Sequence, residues 1–186
     1  TMKIDHFTIR NFRKLNECTI ELSEKETIFV GANNSGKTSA MDALIKFLSK
    51  DSSKRISTND VTLCNWKQIN QIGTEWITQD ENQLEIEIWR THMPSLDVCL
   101  NAETSQIHRV SHLIPDLDWA GGSIGVRMQL EPIDEKTLEK LYNDYCAAEN
   151  AARETSATAK TGENSKFSLW PSSMRDFLDQ VSNTGL

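Results

Sequence analysis

Long apolar runs are missing from this sequence, and nowhere do apolar residues approach the run of about 18 that a membrane-spanning helix needs. No membrane partner is therefore expected. Cysteine is scarce and scattered: Cys18, Cys64, Cys99 and Cys146 form no C-x-x-C pair, which argues against a zinc site or a disulfide framework and for reduced thiols. Positive charge is also in short supply, with 20 Lys and Arg against 27 Asp and Glu, giving a net charge of -7. That balance excludes a generally basic nucleic-acid binder, though not a local basic patch. The opening residues, Thr1 to His6, mix charged and apolar side chains unlike a signal peptide, so a cytoplasmic protein is expected. No internal repeat is apparent.

What the sequence does contain is Gly31-Ala32-Asn33-Asn34-Ser35-Gly36-Lys37-Thr38, which satisfies the phosphate-loop pattern G-x-x-x-x-G-K-[ST] at every constrained position. Its surroundings suit it. Glu26-Thr27-Ile28-Phe29-Val30 is the short apolar, β-branched run expected of a buried parallel strand, and Ala40, Met41, Leu44, Ile45 and Leu48 recur at helical spacing after the loop. Gly31 and Gly36 permit backbone conformations that a Cβ forbids, so the amides of Asn33 to Lys37 can turn inward around a phosphate. The helix start adds its dipole, and Lys37 adds a mobile charge for the β- and γ-phosphates. Thr38 would place a hydroxyl on Mg²⁺, and Ser39 completes the stretch. A nucleoside triphosphate with Mg²⁺ is the expected ligand.

Two strands precede this motif, Lys3 to Ile9 and Cys18 to Leu22, and between them lies Ile9-Arg10-Asn11-Phe12-Arg13-Lys14-Leu15. A first strand ending in I-x-N-F-R-x-L, a second ending in I-E-L, then G-x-N-N-S-G-K-T-S and the Asp42-Ala43-Leu44 helix together resemble the opening of an ABC-type ATPase. The branch is the one shared by RecF, SMC proteins and the OLD (overcoming lysogenization defect) nucleases, and the Asn33-Asn34-Ser35 filling is most similar to the OLD family. The resemblance covers residues 3 to about 48. It implies an α/β P-loop NTPase fold, here the N-terminal lobe of an ATPase head, with two heads pairing as a homodimer around ATP and a DNA-related task in the full protein. It also implies that Arg13 neighbours the nucleotide, whereas Arg10 and Lys14 read equally well as solvated turn residues.

The chain divides into six stretches on this reading: the core start at 1–48, loop and short helix at 49–83, an antiparallel meander at 84–131, a helix at 132–152, a flexible loop at 153–168, and a final short helix at 169–186. In the second stretch Trp66, Ile69, Ile72 and Trp76 fall at spacings of three and four, an amphipathic helix whose tryptophans serve core packing better than base stacking, since no basic cluster accompanies them. From Leu84 the period becomes two: Leu84, Ile86 and Ile88, then Leu96, Val98 and Leu100, then Ile107 to Ile114 and Ile124 to Leu130. A sheet inserted after the phosphate-loop helix agrees with the resemblance. On a strand, His108 and His112 would be about 13 Å apart, too far for a shared metal. Gln129 falls in the region where ABC-type heads carry a magnesium-sensing glutamine, although a solvent-facing strand residue explains it better. Asp134-Glu135 reads as a helix N-terminus, where negative charge is favoured, and not as a catalytic pair.

Two features of a working ATPase are absent from these residues: an apolar strand ending in Asp-Glu, and a signature segment near L-S-G-G. No acidic nuclease constellation follows either, so no catalytic residue is identified. The expectation is an incomplete domain, the front of a longer ATP-dependent endonuclease that acts in phage defence, with this piece inactive alone. The rival reading is a nucleotide-dependent interaction module that does not hydrolyse ATP. A small GTPase ranks third: Asp118-Trp119-Ala120-Gly121 satisfies D-x-x-G, but that pattern is too short to discriminate and the N-K-x-D motif is missing.

Overall fold

The computed structural model describes residues 3–30, 36–78, 84–114, 116, 118–159 and 169–183. Among these residues four strands, β1 (Lys3–Phe12), β2 (Leu15–Glu21), β3 (Ser95–Ala102) and β4 (Gly122–Gln129), accompany six α-helices. The helices are α1 (Lys37–Leu48), α2 (Trp66–Thr78), α3 (Ile86–His92), α4 (Ile107–Val110), α5 (Glu135–Ala159) and α6 (Met174–Asn183). The chain forms two compact units. One comprises Thr1–Ile56 and Met93–Leu130, the other Ser57–His92 and Glu131–Leu186.

The first unit is a single antiparallel sheet in the order β2-β1-β3-β4, with α1 on one face. Alternation explains the packing: Phe7 and Ile9 of β1, Ile20 of β2 and Leu96 of β3 turn to one side, where Ala40 and Ala43 of α1 meet them. Leu44 and Phe47 add to this core, whereas Met41, Ile45 and Leu48 point outward and are exposed. The apolar positions of α1 thus form two stripes and not the single one read from spacing. Ile9, Phe12 and Leu96 are wholly buried, each stabilising the unit by roughly 1.5–3 kcal/mol.

The opposite face carries a row of charges, one from each strand. Glu17 of β2 accepts from Arg10 of β1 at 3.2 Å, Arg10 donates to Asp97 of β3 at 2.5 Å, and Arg127 of β4 grips Asp97 with two bonds of 2.6 and 2.8 Å. Asp97 lies directly opposite Arg127 in register, so a one-residue slip of β4 would turn Arg127 to the apolar face. The two arginines, Arg127 foremost, hold the Asp97 carboxyl below its ordinary value. Asp97 therefore adds stability that is present above the unfolded carboxylate pKa, near 4, and is lost as pH falls through the lower folded value. Asp97→Ala should cost about 1–2 kcal/mol, because it leaves two guanidinium groups facing each other. Urea titrations of both proteins at pH 7 and pH 3 check this, and the difference should shrink at the lower pH.

Several expected elements come out differently. Glu26 to Val30 is not a strand: Ile28 is 72% and Val30 87% exposed. A strand buried on both faces needs a ladder partner on each side, and among the described residues no strand runs parallel to this segment. Leu84 to Ile88 does not open a meander. It leads into α3, with Glu87 in the first turn, Arg90 and His92 in the last, and an Arg90–Glu87 pair at 3.0 Å, all of which favour a helix. Ile107 to Ile114 is likewise helical, α4 followed by a 3₁₀ turn over Ser111–Leu113. There the backbone N–H of Glu103 donates to the Gln106 side chain and starts the turn, and Val110 is the buried anchor. Of the four runs in the 84–131 meander, β3 and β4 remain as strands. They extend the β1–β2 sheet and do not form a separate insert, because β3 pairs with the edge of β1 that β2 leaves bare.

The second unit is helical and built on aromatic rings. Trp66, Ile69, Ile72 and Trp76 of α2 are buried, as their spacing predicted. Trp76 lies 5.9 Å from Trp89, 5.4 Å from Tyr142 and 6.2 Å from Tyr145, and Tyr145 continues to Phe177 at 5.3 Å. Gly73 faces Tyr145 so closely that a Cβ would lie 2.8 Å from its hydroxyl. Burial pushes the Tyr145 phenol up to about 12. Asp134 opens α5 by accepting from the N–H and hydroxyl of Thr137, both at 2.7 Å, which bears out the helix-start reading. The helix runs on past Ala152 to Ala159, into the stretch expected to be loop. Alanines at 147, 148, 151, 152, 157 and 159 sustain it without large side chains. The rest of that expected loop, 160–168, lies outside the described residues.

Candidate functional site

The site gathers where the β1–β2 hairpin meets the start of α1. The turn has two residues, Arg13 and Lys14, closed by the Phe12–Leu15 pair. A tight turn of this kind suits the twist of antiparallel strands when its first central residue takes a positive φ, and Arg13 does so at 51°. Asn11 is also left-handed, at 56°, a conformation that asparagine tolerates. An arginine tolerates it less well, and its side chain is held from two sides. Its Nη1 donates to the Asp42 carboxylate of α1, and the guanidinium carbon lies 5.2 Å from the centre of the Phe12 ring.

Gly36 precedes α1 at a φ of 93°, which only glycine adopts freely, and its carbonyl accepts from the Ala40 N–H at 2.9 Å. Leu15 presses against it: a Cβ at position 36 would lie 2.9 Å from Leu15 Cδ2. Among the described residues no side chain caps α1 and no acid occupies its first turn, so no carboxylate there offsets the positive end of its dipole. Lys37 opens the helix half-buried, Thr38 is exposed and Ser39 is buried. This end of a helix favours an anion, with a cation and a hydroxyl in the same turn. Gly31, Ala32, Asn33, Asn34 and Ser35 lie outside the described residues.

The sequence-derived candidates do not all converge. Gly36, Lys37, Thr38 and Ser39 share one turn, and Arg13 sits on the neighbouring hairpin with its charge directed to Asp42. Gln129 is neither solvent-facing nor free. It is half-buried, and its Nε2 donates to the carbonyls of Met93 at 3.2 Å and Pro94 at 3.3 Å. Asn11 donates to the same Met93 carbonyl at 3.2 Å, so the ends of β1 and β4 are tied at one point. His108 and His112 are exposed in α4 and the turn after it, and among the described residues no cluster of His, Cys, Asp or Glu could hold a metal ion. Sequence reasoning missed Asp42 as the partner of Arg13. The signal was there in its helical position, but nothing in the sequence pairs residues 29 apart.

The family model described as AAA ATPase domain matches residues 2–183. This chain belongs to that family. An AAA ATPase domain is a P-loop NTPase, which agrees with the glycine-ended loop at the head of α1 and with the α/β architecture. Among curated proteins the domain is similar to the DNA replication and repair protein RecF of Leptospira interrogans, 29% identical over 138 residues, 74% of this chain and 35% of that protein. RecF of Glaesserella parasuis is 25% identical over 115 residues, 61% of this chain and 31% of the relative. RecF of Rhodococcus erythropolis is 38% identical over 58 residues, covering 31% and 14%. The chain thus spans about a third of the length of the first two relatives. These relatives support the RecF side of the resemblance carried by residues 3 to 48. No helix among the described residues is long and apolar enough to cross a membrane.

Proposed function

We propose that this AAA ATPase domain binds ATP with Mg²⁺ through residues 31–39. The observation that carries the reading is the left-handed Gly36 ending a G-x-x-x-x-G-K-T loop at an uncapped helix start. On this reading the motif's backbone N–H groups would face the β-phosphate, Lys37 would neutralise the β- and γ-phosphates, and Ser39, buried in the first turn of α1, would support them. Thr38 suits a hard cation: its hydroxyl is exposed in the helix's first turn, one residue from the phosphate-binding lysine. Thr38 would hold the magnesium ion, which would supply charge neutralisation for the phosphates. Arg13 contributes less directly, from the hairpin beside the start of α1, whereas Gln129, bonded to the Met93 and Pro94 carbonyls, is left out of the site.

In the full protein, two heads pair around ATP, and binding or hydrolysis governs a DNA transaction. The relatives named as DNA replication and repair proteins support the DNA-related task. The narrower reading, an OLD-like ATP-dependent endonuclease acting in phage defence in the cytoplasm, rests on the Asn33-Asn34-Ser35 and Asp42-Ala43-Leu44 resemblance alone. On this reading the 186 residues bind nucleotide and do not turn it over unaided.

Calorimetric titration with a slowly hydrolysed ATP analogue and its GTP counterpart, each with Mg²⁺, tests the binding claim. ATP should bind at least about tenfold more tightly than GTP, a difference of ~1.4 kcal/mol. A preference for GTP would sink the ATPase reading.

A further inference from the structure

We propose that Asp42 is a positioning residue for the phosphate loop: by holding Arg13 it clamps the β1–β2 turn, and with it Leu15, against Gly36. The proposal rests on the nucleotide-binding reading above and extends it to a residue that touches no ligand.

Three contacts make one mechanical chain. Asp42 lies five residues into α1, about 7.5 Å along the helix axis from its first residue, and its carboxylate receives Arg13 Nη1. Arg13 sits at the first position of a two-residue turn with a φ of 51°, a conformation that costs a non-glycine residue about 1 kcal/mol or more and persists where surroundings enforce it. The enforcing groups are Asp42 on one side and the Phe12 ring on the other. Phe12 is itself wholly buried in the core and is paired in register with Leu15. Leu15 ends the chain by packing on the bare Cα of Gly36, the last residue of the loop and the first support of α1.

Gly36 needs that wall. At a φ of 93° it holds a conformation that glycine alone adopts freely, and it sets the direction in which the first N–H groups of α1 face an anion. A turn released from Asp42 would let Arg13 relax to a negative φ and carry Leu15 away. Gly36 and the start of α1 would then lose their preorganisation, and ordering them on binding would weaken affinity. The fold would hardly notice. Both partners of the ion pair are about one-third exposed, and pairs of that kind add little to global stability.

The test uses the 186-residue chain and the same Mg²⁺-bound, slowly hydrolysed ATP analogue. Asp42→Ala and Arg13→Ala should each weaken binding by about threefold to tenfold, and the double variant should be no weaker than either single one. Asp42→Glu should recover much of the loss, which a structural role unrelated to Arg13 would not provide. Wild-type affinity in Asp42→Ala, or losses that simply multiply in the double variant, would overturn the proposal. Lys37→Ala is run alongside: if it binds normally, the phosphate-loop reading has failed, and the clamp with it. A second measurement needs no ligand. The amide resonance of Gly36 in a ¹H–¹⁵N spectrum should move in Asp42→Ala and return in Asp42→Glu, and an unmoved resonance would also refute the clamp.

Discussion

Lys37→Ala is expected to weaken binding of the ATP analogue by roughly 30- to 150-fold, about 2–3 kcal/mol, while the melting temperature stays within about 2 °C of the parent. The first number follows from removing a cation whose bonds to phosphate are charge-assisted. Loss of such a contact also leaves phosphate charge facing the site without its partner. The second follows from where Lys37 sits, half-buried at the end of α1 and not in the cluster formed by Phe7, Ile9, Leu96, Ala40 and Ala43. Calorimetry and a thermal melt on the same sample separate the two effects. Affinity within twofold of the parent would remove Lys37 from the site.

The largest stability effect is expected at Gly73→Ala. In an isolated helix this exchange would stabilise α2 by about 1 kcal/mol, because alanine is the better helix former. Here the sign reverses. The new methyl would lie 2.8 Å from the Tyr145 hydroxyl and 2.9 and 3.0 Å from ring carbons Cζ and Cε1, distances at which something must shift. Tyr145 has little room to give: it is 2% exposed and packed edge-on against Trp76 and Phe177. Overpacking of this kind costs about 1–3 kcal/mol, so a net loss of up to about 2 kcal/mol is expected in urea unfolding. Adding Tyr145→Leu to the variant should recover part of it, since leucine removes the atoms that collide. A stabilised Gly73→Ala protein would mean that α2 and α5 are spaced more widely than the structure has them.

The sequence was most legible where a local rule and a tertiary need coincide. The α1 start is written in Gly36-Lys37-Thr38, and α2 in tryptophans and isoleucines at helical spacing. It was least legible where an apolar run had two ways of being buried. Ile86 and Ile88 alternate like a strand, yet Trp89 is the residue that the core takes, and a single large ring outweighs two isoleucines. Ile28 and Val30 read as a buried strand because their chemistry demands partners, and no partner strand stands beside them among the described residues. The site divides in the same way. Motif spacing locates Gly36 to Ser39, whereas the Arg13–Asp42 pair and the shared grip of Asn11 and Gln129 on the Met93 carbonyl arise from register between distant segments.

The aromatic packing around Trp76 also determines what light can report about this protein. Trp66, Trp76, Trp89 and Trp170 all belong to the helical unit, and Trp119 alone belongs to the unit that holds the phosphate loop. Intrinsic fluorescence excited at the indole band is therefore mainly a signal of the helical unit. Far-ultraviolet dichroism sees the helices and the sheet together. If the two units melt at different temperatures, the two signals will give different midpoints, and a nucleotide analogue will shift the dichroism curve more than the fluorescence one.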